Sequence, residues 1–180
     1  MSAENILKEA KHGITLMRKY DRHFDFYFVG TLACLKSSLD YLLEEYNESY
    51  QLGIDLESDH LSAQTFRRNA ERQQKQYALD FINYYDKLYS KFDEKVMKII
   101  KQHGVRDLTI HRKRLPRAVL FDVNTDKAEH YLSKDVDLKT LATDSLRSDK
   151  ELVSICEHTS GKLEDFFHEI RSKFPLESNN

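Results

Sequence analysis

Phe24, Phe28, Leu32, Leu35, Leu39, Leu42 and Tyr46 recur at steps of four and three, the spacing that lines side chains along one face of an α-helix. The run is far longer than a strand of ordinary length. Phe26, Tyr27, Val29, Ala33 and Leu43 widen the apolar band beyond a single stripe. A helix over 21–50 must therefore lie near the centre of the fold, and the rest of the chain has to supply the surfaces that cover it.

Those surfaces are legible in order. Ser2 is placed to cap a first helix reaching to about Tyr20, with Ile6, Ala10, Gly13 and Met17 on one face. Gln51 to Leu61, with Gly53 and the cluster Glu57-Ser58-Asp59, reads as a loop. From Ser62, the positions Phe66, Ala70, Gln73, Tyr77, Phe81, Tyr84 and Leu88 predict a third long helix to about Lys91. Asp93 then caps a helix carrying Phe92, Val96, Ile100, Gly104, Leu108, His111 and Leu115 on one track, running to about Lys113 and stopped by Pro116. Between Arg117 and Leu132, the segments Ala118–Val123 and Ala128–Leu132 flank the turn formers Asn124-Thr125-Asp126 and predict a small β-hairpin or extended arm. Asp137 is placed to cap a short helix over 138–142. The capping box Ser148-Asp149-Lys150-Glu151 opens a last helix marked by Leu152, Cys156, Thr159, Leu163, Phe166, Ile170 and Phe174, ended by Pro175, with a frayed tail after it.

Five amphipathic helices with heptad-like stripes predict an all-α, antiparallel helical bundle. The chain reads as a single domain over 1–180, with core helices at about 3–50, 62–113 and 148–174 and an arm over 117–147. At 180 residues it can bury roughly 70% of its unfolded surface, enough for one core. Five glycines and two prolines leave few tight turns, as a helical protein requires.

A net charge of −2 excludes a general polyanion binder, so any contact with RNA must come from a local patch. Glycine-rich phosphate loops, serine nucleophile motifs and paired-cysteine zinc spacings are absent from the sequence, which excludes the enzyme classes built on them. Cys34 and Cys156 each sit in an apolar helical pattern and read as reduced core thiols, which points to the cytoplasm. The first residues lack the charged and apolar regions of a signal peptide, and apolar runs long enough for a membrane span are missing. A soluble, cytoplasmic protein with no membrane partner is the expectation.

The chemistry gathers late in the chain, at Arg106-Asp107-Leu108-Thr109-Ile110-His111-Arg112-Lys113-Arg114. Asp107 and His111 are four apart, about 40° round a helix, so the acid can orient the imidazole and favour its charged form. Arg106 lies about 140° from His111 by the same geometry. A long side chain, or a second copy of the helix across a two-fold axis, is needed for the two to converge. Arg112, Lys113, Arg114 and Arg117 add four positive charges within six positions, either an RNA-binding patch or a solvated helix end suited to the C-terminal dipole.

An arginine, a polar residue and then a histidine late in a helical bundle resembles the Arg-x4-6-His signature of the HEPN superfamily. The likeness covers the bundle in outline and is specific at Arg106, Asp107 and His111. It implies a metal-independent endoribonuclease without a cofactor, active as a homodimer whose two motifs share one cleft. Attack of a ribose 2′-hydroxyl on the adjacent phosphate would use His111 as the acid/base group or to position the 2′-hydroxyl, and Arg106 to hold the pentacovalent phosphate, with Asp107 orienting His111 or bonding to the opposite chain. The resemblance further implies a role in phage defence or as a toxin, with RNA as substrate and an antitoxin or other regulatory protein as partner. It leaves open a catalytically inactive module that binds a protein, nucleotide or RNA partner through the same cleft. The chain departs from the family at Asp107, where Asn is commoner, and this acid opposes phosphate.

Other constellations carry less. Arg18 to His23 matches the same spacing, but Lys19 follows the arginine and the match lies near the start of the chain. Glu9 with His12 and Asp165 with His168 imitate half of a di-metal carboxylate site, yet both pairs lie beside the apolar stripes and read as solvent-facing, so no metal is expected. Asp21, His23 and Asp25 do not converge on a helix. His60, His103, His130 and His158 have no partner evident from the sequence. Arg67, Arg68, Arg72 and Lys75 read as a solvent-exposed basic face, and the ten tyrosines as interior residues with a polar tip.

Overall fold

Ser2 Oγ accepts the N–H of Asn5 at 3.2 Å, and helix α1 (Ala3–Lys19) starts from that cap. The structure is a computed structural model that describes residues 2–20, 23–54, 61–100, 117–122, 127–132 and 147–176, with 98, 117–122, 127–132 and 147–149 as backbone. Helix α2 (Phe24–Ser49) follows α1 after a short break. All seven stripe residues from Phe24 to Tyr46 are buried, and α2 packs against α1 and against the three later helices α3 (Ala63–Arg72), α5 (Glu94–Ile100) and α6 (Asp149–Lys173). α4 (Gln76–Tyr89) lies against α3 and α6. The core is all-α and is centred on α2, as its sequence requires.

The segment expected as one helix from 62 to 91 is two. α3 ends at Arg72 and α4 begins at Gln76. Gln74 adopts a left-handed φ of 54°, with its N–H donating to Glu71 O and that of Lys75 to Ala70 O, both at 3.0 Å. This is the Schellman ending that usually recruits glycine. The same ending closes α2, where Gln51 has φ 50° and the N–H groups of Gln51 and Leu52 donate to Glu48 O and Asn47 O. The two helix ends are tied together. Gln73 Nε2 donates to Leu52 O at 2.6 Å, and Lys75 Nζ donates to Tyr50 O and Gln51 O at 2.7 and 2.8 Å. Tertiary hydrogen bonds thus override a continuous helical pattern, and the phase shifts: Tyr77 is 51% exposed, while Ala78, Phe81, Ile82, Tyr85 and Leu88 face the core.

α1 and α6 run antiparallel along a ladder of ion pairs. Glu4 meets Arg171 at 3.0 Å, Lys11 meets Glu164 at 2.7 Å, and Arg18 meets Glu157. Each rung is seven residues from the next on both helices, so one charged row follows the edge of one apolar stripe. At the carboxyl end of α6, Phe81 is the hub of an aromatic cluster, stacked on Tyr46 at 4.0 Å and flanked by Tyr50, Phe66, Tyr85 and Phe174. At its amino end, backbone pairing joins β1 (Arg117–Asp122) antiparallel to β2 (Lys127–Leu132), with Arg117 opposite Leu132, and β2 to β3 (Arg147–Ser148).

α1 and α2 approach closely at Gly13. A Cβ there would overlap Thr31 Oγ1. Thr31 is fully buried and its hydroxyl has no hydrogen-bond partner. Glycine is therefore needed at 13 for space.

Candidate functional site

The approach to the Arg106–His111 motif is built by α5. Asp93 Oδ1 accepts the Val96 N–H at 3.0 Å and caps the helix, while Oδ2 lies 2.6 Å from His158 Nε2 on α6. The hydrogen bond from His158, reinforced by the Val96 N–H, holds the Asp93 carboxyl below its ordinary value of 3.8. His158, for which the sequence offered no partner, thus has one, and the pairing spans 65 positions of chain. Phe92 packs edge-on to Tyr89 and tilted against Phe166. Val96, Ile99 and Ile100 are buried, so the stripe read from Phe92 stays on the core side up to Ile100.

Arg106, Asp107, His111, Arg112, Lys113 and Arg114 lie outside the described residues, as do the capping position Asp137 and the short helix expected after it. Arg117 opens strand β1. What the fold brings beside Ile100, six positions before Arg106, is a cavity of about 310 Å³ between α2, α4 and the start of α3, lined by Lys36, Asp40, Tyr85, Asp86 and Tyr89. Burial, with the charges of Asp40 and Asp86 adding to it, raises both tyrosine hydroxyls above their ordinary value and keeps them protonated. Asp86 is bound by Arg67 at 2.7 Å. None of the described lining residues is a histidine or a cysteine.

A second cavity of about 350 Å³ lies between α1 and α6, floored by Leu7 and Phe167 and edged by Lys8, Lys11, Glu164 and His168. At its end, Arg171 Nε donates to Glu4, Nη2 bonds Glu45, and the guanidinium stands 5.2 Å from the Tyr46 ring centre. Burial raises the Glu4 carboxyl, but the hydrogen bond from Arg171 and those from its surroundings outweigh this and leave it below its ordinary value. Arg171 Nη1 is buried without a hydrogen-bond partner. This cluster fastens α1, α2 and α6 and is a structural device.

Glu9, His12, Asp165 and His168 are exposed, and among the described residues there is no group of three potential metal donors. Arg18, the cation of the earlier Arg-x4-His match, is the top rung of the α1–α6 ladder. Of the supposed exposed basic face, Arg67 and Lys75 are half-buried and engaged, Arg67 with Asn83 and Asp86, Lys75 with the end of α2. Cys34 and Cys156 are free thiols. Burial, with nearby Glu9 and Glu157, raises both, Cys156 to about 12, so neither is a nucleophile near neutral pH. Among the described residues no helix is long and apolar enough to cross a membrane. Comparison with protein-family models, with curated proteins and with solved structures finds no match to this chain.

Proposed function

We propose that this chain is a HEPN-like, metal-independent endoribonuclease, acting as a homodimer in the cytoplasm. His111 moves the proton of the attacking 2′-hydroxyl, Arg106 binds the phosphate as charge gathers on it, and Asp107 orients His111. Arg112, Lys113, Arg114 and Arg117 hold the RNA backbone beside the cut. The observation that carries the reading is the spacing Arg106-Asp107-x3-His111 on the continuation of a stripe that is buried as far as Ile100. Support also comes from the alternatives: burial keeps the Cys34 and Cys156 thiols protonated, and the earlier Arg-x4-His match has given its arginine to an ion pair. Biologically, an RNA-cutting enzyme of this kind suits phage defence or a toxin held in check by a regulatory protein. Asp107 favours a second reading, a module that binds a protein, nucleotide or RNA partner without cutting, because a carboxylate beside Arg106 opposes phosphate.

The test is RNA cleavage in EDTA by wild type, Arg106→Ala and His111→Ala, with circular dichroism to show that each is folded. Cutting by wild type that falls about 10²- to 10⁴-fold in each variant is the expected result. Folded wild type that leaves RNA intact under all conditions favours the non-cutting module.

A further inference from the structure

Three large apolar side chains are markedly exposed among the described residues, and two of them lie at the α1–α2 turn: Tyr20 at 40% and Phe26 at 77%. They are joined by Tyr27, whose ring centre lies 6.2 Å from Tyr20, 5.6 Å from Phe26 and 6.4 Å from His23. Lys19 Nζ stands 5.1 Å from the Tyr20 ring centre. The result is a set of four neighbouring rings, Tyr27 half-buried against the core and the other three exposed, with an ammonium at one edge.

We propose that this turn is a stacking platform for single-stranded RNA, an inference that rests on RNA being the ligand class of the proposed function. The size of the patch decides between occupants. At about 150–250 Å² for a whole aromatic side chain, the exposed parts of Tyr20 and Phe26 offer roughly 230 Å², against about 800 Å² per partner in a stable protein interface. These two rings would be a small part of a protein interface, whereas their area matches the faces of one or two bases. Every base has a π-face, so stacking tolerates sequence, and Lys19 supplies the phosphate contact that accompanies it. A duplex hides its base faces, so the platform selects unpaired strands.

The experiment measures the affinity of a short fluorescein-labelled single-stranded RNA by anisotropy, using the full chain with His111→Ala so that the RNA stays whole. Phe26→Ala and Tyr20→Ala should each weaken binding by about 5- to 150-fold, the range of one lost base stack. Phe26→Leu should weaken it similarly, because it keeps the apolar bulk and loses the ring. Lys19→Gln should flatten the salt dependence, and the annealed duplex should bind less tightly than the single strand. Phe26 is so exposed that its replacement should leave the melting temperature unchanged, which guards against a folding artefact. The proposal is overturned if the parent variant binds no RNA, if Phe26→Ala or Phe26→Leu binds as tightly as the parent, or if Phe26→Ala splits a dimer in sedimentation with RNA affinity intact. Patch-dependent binding without any cutting by the unmodified chain would sink the nuclease reading and leave the platform standing. Cutting with patch-independent binding would do the reverse.

Discussion

Three helical glycines separate close packing from helix propensity. Gly13, Gly30 and Gly161 lie within α1, α2 and α6, and a Cβ at Gly30 or Gly161 would meet nothing within 4 Å, whereas one at Gly13 would overlap Thr31 Oγ1. Replacing a helical glycine by alanine gains about 0.8–1 kcal/mol of propensity. Gly30→Ala and Gly161→Ala should therefore raise stability by up to about 1 kcal/mol, or about 2–4 °C in melting temperature for a chain of this size. At Gly13 the same gain opposes an overpacking cost of about 1–3 kcal/mol, because a β-branched side chain has little freedom to turn away and the two helices must part. Gly13→Ala should come out destabilising by up to about 2 kcal/mol from those two figures. Thr31→Ala removes the obstructing oxygen, so in that background Gly13→Ala should change sign and stabilise. Urea titration of the four-member cycle measures the coupling directly. If Gly13→Ala stabilises the wild-type chain as much as Gly161→Ala does, α1 and α2 are not in contact at this point and the packing described between them is wrong.

The other expectations concern charges and helix ends. Asp93 is held below its ordinary carboxyl value, so its stabilising contribution is complete above 3.8 and fades as pH falls from there toward the folded value; urea midpoints at descending pH should drop less steeply below that point for Asp93→Asn than for wild type. Arg171→Ala leaves Glu45, whose side chain is 15% exposed, facing Glu4 without a cation. It should cost about 2–4 kcal/mol, less than a fully buried pair, and Glu45→Gln in the same chain should restore part of that loss in the same titration. Gln74→Gly relieves a left-handed φ and should add about 0.5–1 kcal/mol; a thermal melt in which it destabilises would deny the Schellman ending of α3.

How much of this was legible follows from the range of each interaction. The Ser2 cap and the stripes of α2 and α6 are local patterns, and the folded chain buries the residues they mark, apart from a half-buried Phe174 at the end of α6. The break at 73–75 escaped because neither glycine nor proline stands there. The signal was a stripe position occupied by Gln73, and the cause is a set of hydrogen bonds to the end of α2, some 20 residues away in sequence. The pairing of His158 with Asp93 depends on where α5 meets α6, which no local pattern encodes. The α1–α6 ladder was readable and was missed: Glu4, Lys11 and Arg18 on one helix and Arg171, Glu164 and Glu157 on the other keep seven-residue steps with opposite charges in reverse order.

That ladder also bears on which short motif can be chemical. Arg18 and His23 carry the same residue types at the same spacing as Arg106 and His111. The fold has directed the Arg18 guanidinium along α6 to Glu157 and left His23 edge-on against Tyr27, so the two serve different contacts. The Arg18 pair is more than a third exposed on both sides and is worth at most about 1 kcal/mol, so Arg18→Ala should leave the fold intact. A nuclease centred on Arg106 and His111 should then cut RNA at an undiminished turnover rate in Arg18→Ala, measured at saturating RNA, while Arg106→Ala lowers it by about 10²- to 10⁴-fold. A fall in turnover for Arg18→Ala matching that of Arg106→Ala would mean that the amino-terminal arginine serves the reaction, and the assignment of the site to the later motif would have to be abandoned.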